Sequence, residues 1–338
     1  MTTGPRIGVT LYSFTEKYHA RQYTFEELIH KSAALGIGPG LEIVGFQSIR
    51  RYPVVTDSFA LRFRRLLDEA GLEPSALGAN IDTARRRDRL MTDDETIETL
   101  EVQIRAAAKL GFPVLRVQFG ASGDALEAVL PLAERSDVKL GMEVHAPHTI
   151  EHPTIVALRE RYEKLGSPYL GFVPDFGATM SAIPAGLIRH WRANPDASDE
   201  LLELTIAAWE RAHRGESSAF AERRQVMQAA SDMKAGPSTL LAWISMTLFG
   251  HQAPEAWADI VHQVVHVHGK FYEIDEDGNE PSMAYQELMR VFRDGGYTGY
   301  ISSEWEGSIW NDDADPFEFV RRHQELMRRH LASEAVTA

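Results

Sequence analysis

Residues 139–177 read KLGMEVHAPHTIEHPTIVALRERYEKLGSPYLGFVPDFG. An apolar run, KLGMEV, gives way to a polar turn, a stretch of helical spacing, Gly166, and a second apolar run, LGFVPDFG. Two β-rich runs joined by an amphipathic helix read as parallel strands with a crossover. Glycine past the helix takes a left-handed terminal conformation without steric penalty.

The same cycle repeats in both directions. Upstream lie RIGVTLYSF from Arg6, GLEIVGF from Gly40, EPSALGANI from Glu73 and VLRVQFG from Val114; downstream lie VHVHGKFYEI from Val265 and GYISSEWEG from Gly299. Strand starts are spaced by about 25 to 40 residues, with one gap of about 95. Thr24 with Glu27, and Thr92 with Glu95, have the capping-box form, and Asp315 precedes Pro316 as a cap before a first-turn proline. Gly36, Gly71, Gly111, Gly166 and Gly295 follow helical runs as expected left-handed ends. Eight such units predict an α/β fold, a (β/α)8 TIM barrel forming a single domain over residues 1–338. An open doubly wound sheet is the alternative, but no GxGxxG follows the first strand. The long gap, residues 178–262, is rich in Ala, Glu, Leu and Arg and reads as a helical insertion between strands six and seven. A lid, an interface and a plain helical elaboration are all open readings of it.

Composition narrows the function. Of 338 residues 44% are hydrophobic and 25% charged, and 35 basic against 49 acidic residues leave a net charge of −14. That sign opposes binding to nucleic acid or to an anionic membrane surface. The absence of cysteine removes disulfides, thiolate metal sites and thiol nucleophiles. The start lacks a signal-peptide pattern and no window reaches eighteen apolar residues, so a soluble, cytoplasmic protein is expected.

In barrels of this kind, polar residues at the C-terminal ends of strands build the site. Alternation puts Glu143 and His145 on one face of strand five, His266, His268 and Lys270 on one face of strand seven, and Glu304 and Glu306 on one face of strand eight. Asp175 ends strand six. Charges aimed at a barrel interior are expensive unless paired or metal-bound. Glu143, Asp175, His268 and Glu304 form an oxygen-rich set suited to Mn²⁺, Mg²⁺, Fe²⁺ or Co²⁺, with Zn²⁺ also compatible. A metal-free network of ion pairs with Lys270 is the competing reading. Tyr12, Glu42, Asn80 and Gln118 end strands one to four, where substrate contacts and ordinary barrel filling are both open readings. Glu306 reads as an exposed loop position.

The order of Glu on strand five, Asp on strand six, HxHxK on strand seven and Glu on strand eight resembles the xylose isomerase-like barrels, a group of metal-dependent sugar isomerases, epimerases and dehydratases. The resemblance covers nearly the whole chain and implies that Glu143, Asp175, His268 and Glu304 bind the metal, most simply Mn²⁺; His266 is the alternative to His268. Two departures stand out. Epimerases of the group carry a histidine where this chain has Ala178, and the insertion is atypical for them. The run from Glu143 through His145 to His148, with SSEWEG on strand eight, is more similar to the catalytic alpha subunits of bacterial C-glycoside deglycosidases. That likeness implies a carbon–carbon lyase acting on 3-oxo-C-glycosides, working in a hetero-oligomer with a smaller beta subunit. His145 is then the expected base at C2 of the sugar, and His148, Lys270, Gln118 and Tyr12 the expected substrate contacts. The alternatives are a sugar isomerase, 3-epimerase or inosose dehydratase, and a non-catalytic carbohydrate-binding barrel.

Overall fold

The computed structural model describes residues 4–311 and 314–332. All eight anticipated strands form: β1 (Arg6–Thr10), β2 (Gly40–Val44), β3 (Glu73–Gly78), β4 (Val114–Val117), β5 (Lys139–Val144), β6 (Leu170–Pro174), β7 (Val267–Phe271) and β8 (Tyr300–Trp305). They make one parallel sheet in the order β6-β5-β4-β3-β2-β1-β8-β7. Between β6 and β7 the cylinder closes through scattered contacts: the Val265 N–H donates to Phe172 O at 3.0 Å, and Asp175 makes an isolated bridge with His268. A (β/α)8 barrel results, its strands buried on both faces as parallel sheets require.

The helix ends follow local chemistry. Thr24 and Thr92 both complete their capping boxes, and Asp315 Oδ1 accepts the Phe317 N–H at 3.1 Å. Gly36, Gly71, Gly111 and Gly166 take positive φ. Gly295 does not: its φ is −72°, and the left-handed residue is Gly296 at +73°. Glycine at 295 has a packing reason instead, since a Cβ there would lie 2.6 Å from Val261 Cγ1.

The chain from β6 to β7 carries helices Ala185–Ala193, Asp199–His213, Ala219–Asp232 and Ser238–Thr247. Its last part returns to the barrel top, where the Gly250 and Gln252 N–H groups donate to Gly177 O and Ala178 O at 2.8 and 2.9 Å. Among the described residues no helix is long and apolar enough to cross a membrane.

Inside the barrel, glycines make room. A Cβ on Gly171 would stand 2.3 Å from Gln263 O, a backbone atom with nowhere to go. Gly171→Ala is therefore expected to destabilise the fold by about 1–3 kcal/mol, read as a lower urea midpoint with unchanged m-value.

Glu280, in the loop after β7, is buried and accepts both the N–H and the hydroxyl of Ser282, at 2.8 and 2.7 Å. Burial nonetheless pushes its carboxyl up to about 7. Between the ordinary carboxylate value and pH 7 the folded chain thus holds a proton that the unfolded chain has released, so stability falls as pH rises through that window. The slope is at most about 1.4 kcal/mol per pH unit. Glu280→Gln is expected to flatten the melting temperature between pH 5 and pH 8; an unchanged slope would discard the assignment.

Candidate active site

Strand β7 organises the site. Val267 and Phe271 turn outward, Phe271 stacking on buried His323 with ring centroids 4.0 Å apart. The opposite parity, His266, His268 and Lys270, therefore points to the barrel axis. Contacts across the barrel confirm the direction. The Nε2 atoms of His266 and His268 each lie 3.0 Å from a carboxylate oxygen of Glu42 on β2. His268 turns its other nitrogen, Nδ1, toward Glu143 Oε1 (2.8 Å), Glu304 Oε2 (3.3 Å) and Asp175 Oδ2 (4.0 Å).

Lys270 is the second hub. Its Nζ is 2.9 Å from Asp175 Oδ2, 3.0 Å from Glu306 Oε2, 3.6 Å from Glu304 Oε2 and 3.1 Å from His145 Nε2. The other nitrogen of His145 lies 2.6 Å from Ala146 O. A carbonyl oxygen only accepts, so Nδ1 carries a hydrogen and Nε2 is the nitrogen turned to the cluster, beside the Lys270 ammonium. Asp175 is fixed by its own turn, Oδ1 accepting the Gly177 N–H at 2.7 Å.

The sequence-predicted residues Glu143, His145, Asp175, His268, Lys270 and Glu304 thus come together. His266 faces Glu42 rather than the Glu143–Asp175–Glu304 group. Tyr12 lies at the edge of the cluster, where the nearby Glu306 charge and burial push its hydroxyl well up. His148 and Gln118 stay outside it. The His148 ring stacks on Phe119 at 3.8 Å, and Gln118 lies half-buried past the end of β4. Asn80 is held through its backbone, its N–H donating to Gln103 Oε1 at 2.9 Å.

Three participants escaped the sequence reading. Arg116 on β4 is buried, with Nη1 3.3 Å from Glu143 Oε2, and Gly78 leaves the space its guanidinium fills. An arginine inside the apolar run VLRVQFG was the available signal. Glu42 is the partner of two buried imidazoles, His266 and His268. Glu306 is not an exposed loop residue, because the inward parity of β8 continues one step beyond the strand and meets the Lys270 ammonium.

The electrostatics follow from this packing. Burial pushes the Glu143 carboxyl up, but Arg116 and His268 more than offset it and hold it well below the usual range. Burial opposes charge on Lys270, yet Asp175, Glu304 and Glu306 raise its pKa and keep it an ammonium. Burial, reinforced by Asp175 and Glu306, holds Glu304 at about 7. Five carboxyl groups (Glu42, Glu143, Asp175, Glu304, Glu306) face Arg116, Lys270 and His268, whose carboxylate neighbours raise its pKa well above the usual imidazole value. Asp175 Oδ2, His268 Nδ1 and Glu304 Oε2 are buried without a well-directed hydrogen bond. One donor atom each from Glu143, Asp175 and His268 lies within 4.8 Å of the others. A hard divalent cation fits both the excess negative charge and the unsatisfied donors.

Comparison with known proteins agrees with this architecture. Residues 34–330 match the family model described as xylose isomerase-like TIM barrel. The 3'-dehydrocarminate deglycosidase alpha subunit of Microbacterium sp is 49% identical over 96% of this chain and 95% of its own length. The C-glycoside deglycosidase alpha subunit of Microbacterium trichothecenolyticum is 44% identical over 96% and 89%. Among solved structures, a sugar phosphate isomerase/epimerase from Parabacteroides distasonis superposes with a TM-score of 0.55 at 15% identity, covering 98% of this chain and 95% of that one, a likeness of fold alone. With residues 34–330 matched and its sequence shared at this level over nearly its whole length, the chain belongs to the xylose isomerase-like TIM barrels, in the group of C-glycoside deglycosidase alpha subunits.

Proposed function

We propose that the chain is the metal-dependent catalytic subunit of a C-glycoside deglycosidase, a carbon–carbon lyase that acts on 3-oxo-C-glycosides. The supporting observation is the buried excess of carboxylates around His268 beside an imidazole that turns its Nε2 inward. Glu143, Asp175, Glu304 and Nδ1 of His268 would hold the cation, Mn²⁺ being the simplest choice for such donors and Mg²⁺, Co²⁺, Fe²⁺ or Zn²⁺ the alternatives. When bound, a divalent cation supplies Lewis acidity toward the C3 ketone of the sugar.

A carbon–carbon glycosidic bond has no basic oxygen to protonate, so the two-carboxylate route of ordinary glycosidases does not apply. A ketone at C3 makes the C2 hydrogen acidic instead. His145 Nε2 removes that proton. The electron pair left at C2 forms the C1–C2 double bond as the bond from C1 to the aglycone carbon breaks, and the aglycone carbon takes up one proton. The proton lost at C2 is balanced by the one gained. The Lys270 ammonium, which lies 3.1 Å from that same Nε2, withdraws from it as the C2 hydrogen approaches, and it keeps Glu306 ionised. The relatives' designation as alpha subunits supports a smaller partner chain for this one as well.

The test is an NMR time course in D₂O with a 3-oxo-C-glucoside of a flavonoid, run on metal-loaded and metal-free protein produced with its small subunit. Metal-dependent release of aglycone is expected. Deuterium entering at C2 without release, in that complete assembly, would replace the lyase reading with an isomerase or epimerase.

A further inference from the structure

A cavity of about 300 Å³ opens beside the ion cluster, between the start of the chain after β1, the turn after β8 and the Ser238–Thr247 helix. Tyr12, Tyr272, Trp305 and Trp310 line it, with Ile244 and Leu248 closing one side. The aromatic wall is rigid. Tyr272 and Trp310 stack with centroids 5.5 Å apart, and both pack edge-on against buried Phe249. The Trp305 Nε1–H donates to Tyr272 O at 3.0 Å, tying the ends of β7 and β8 together. Gly307 permits the turn, since a Cβ there would lie 2.2 Å from Tyr272 O.

We propose that this cavity receives the planar aromatic half of the substrate, and that the Ser238–Thr247 helix, contributed by the segment between β6 and β7, sets how large an aromatic group enters. The inference rests on the lyase reading above. Three observations carry it. First, the cavity shares a wall with the ion cluster: Glu306 lines it while holding Lys270 at 3.0 Å, and that same ammonium lies 3.1 Å from His145. The aglycone is attached to C1, one bond from the carbon that His145 deprotonates, so it must lie at such a junction. Second, four aromatic residues, Tyr12, Tyr272, Trp305 and Trp310, line this one cavity, which suits a planar ring. Third, the lining sets aromatic faces among hydroxyls, Gln47 and two carboxylates, Glu16 and Glu306, a mixture that suits a planar ring carrying phenolic hydroxyls.

Leu248 and Ser308 are half-buried on the cavity wall. Leu248→Trp and Ser308→Trp each place an indole in the cavity. Calorimetric titration with apigenin, a planar polyphenol without sugar, is expected to give a Kd raised by about tenfold or more in both. Deuterium exchange at C2 of methyl 3-oxo-glucoside, which has no aromatic group, measures the sugar end separately. The ratio of the two effects is expected to shift by about tenfold against apigenin. Apigenin affinity within threefold of the wild type, or equal losses for both ligands, would overturn the proposal. Thermal melts identify a variant that fails to fold. Leu248→Ala, which removes wall contacts without crowding, then decides: weaker apigenin binding supports the cavity, and unchanged binding overturns it. If wild-type protein exchanges no C2 hydrogen while apigenin binding still depends on these positions, the lyase reading fails and the aromatic cavity stands.

Discussion

Replacing His145 with alanine is expected to lower turnover of a 3-oxo-C-glycoside by about 10²–10⁴-fold, the usual contribution of a positioned general base. The metal content of the purified protein is expected to stay at the wild-type level. The reasoning is local. The bond from Nδ1 to Ala146 O fixes the tautomer, so the only basic nitrogen faces the cluster. Among the proposed ligands, His145 approaches Asp175, at 3.7 Å, which is contact rather than coordination, so deleting the ring leaves the ligand set whole. Two measurements separate this role from a structural one. Metal stoichiometry would fall if His145 merely braced Asp175. Deuterium exchange at C2 would survive the mutation if His145 acted only on the departing aglycone. Loss of exchange together with release, at full metal occupancy, is the expected pattern.

The second large effect falls on a fully buried residue of β2. Glu42→Gln is expected to weaken Mn²⁺ binding by about 10–100-fold, the range seen when the partner of a metal-binding histidine is altered. Glu42 is fully buried, and both of its oxygens are occupied by imidazole Nε2 atoms. Burial pushes its carboxyl up, but His268 and His266 more than offset this and keep it ionised. That negative charge holds a proton on Nε2 of His268, so a cation arriving at Nδ1 would displace only the second proton, which Glu143 and Glu304 favour there. Glutamine keeps the shape but offers one acceptor where two imidazoles need one, and its amide hydrogens meet the other ring. Manganese titration followed by electron paramagnetic resonance reads the affinity, and a thermal melt of the metal-free protein reads the fold. An unchanged Mn²⁺ affinity would show that Glu42 is only a core ion-pair partner.

The contrast between these residues shows what the sequence could yield. The strands were legible because each is an apolar run ended by turn chemistry within a few residues, and the capping boxes because both partners sit three positions apart. Glu143, Asp175, His268, Lys270 and Glu304 were legible because strand parity is local and barrel strands end on one rim. Glu42 was not, because its partners lie 224 and 226 residues away and meet it only when β2 and β7 face each other across a closed cylinder. Arg116 sat in plain view on β4, but attention to the last residues of each strand passed over a long side chain that reaches the rim from one layer below. Glu306 was misplaced because it lies one residue past the end of β8, yet it keeps the strand's inward parity and meets Lys270. Gly295 failed for a related reason: a glycine after a helix serves close packing as readily as a left-handed end.

The seam between β6 and β7 has a bearing on any attempt to miniaturise this protein. A fully closed barrel has no edges, but here two strands meet through scattered bridges, and Gly250 and Gln252 cover the chain just beyond β6. Cutting out the intervening helices together with residues 250–252 would strip that cover, leave the Gly177 and Ala178 carbonyls unpaired and open the thinly bonded edge between β6 and β7. Such an edge is a template for joining a second molecule. The shortened chain would gain a route to fibres and clumps, so a workable minimal version must carry its own replacement for the residue 250–252 patch.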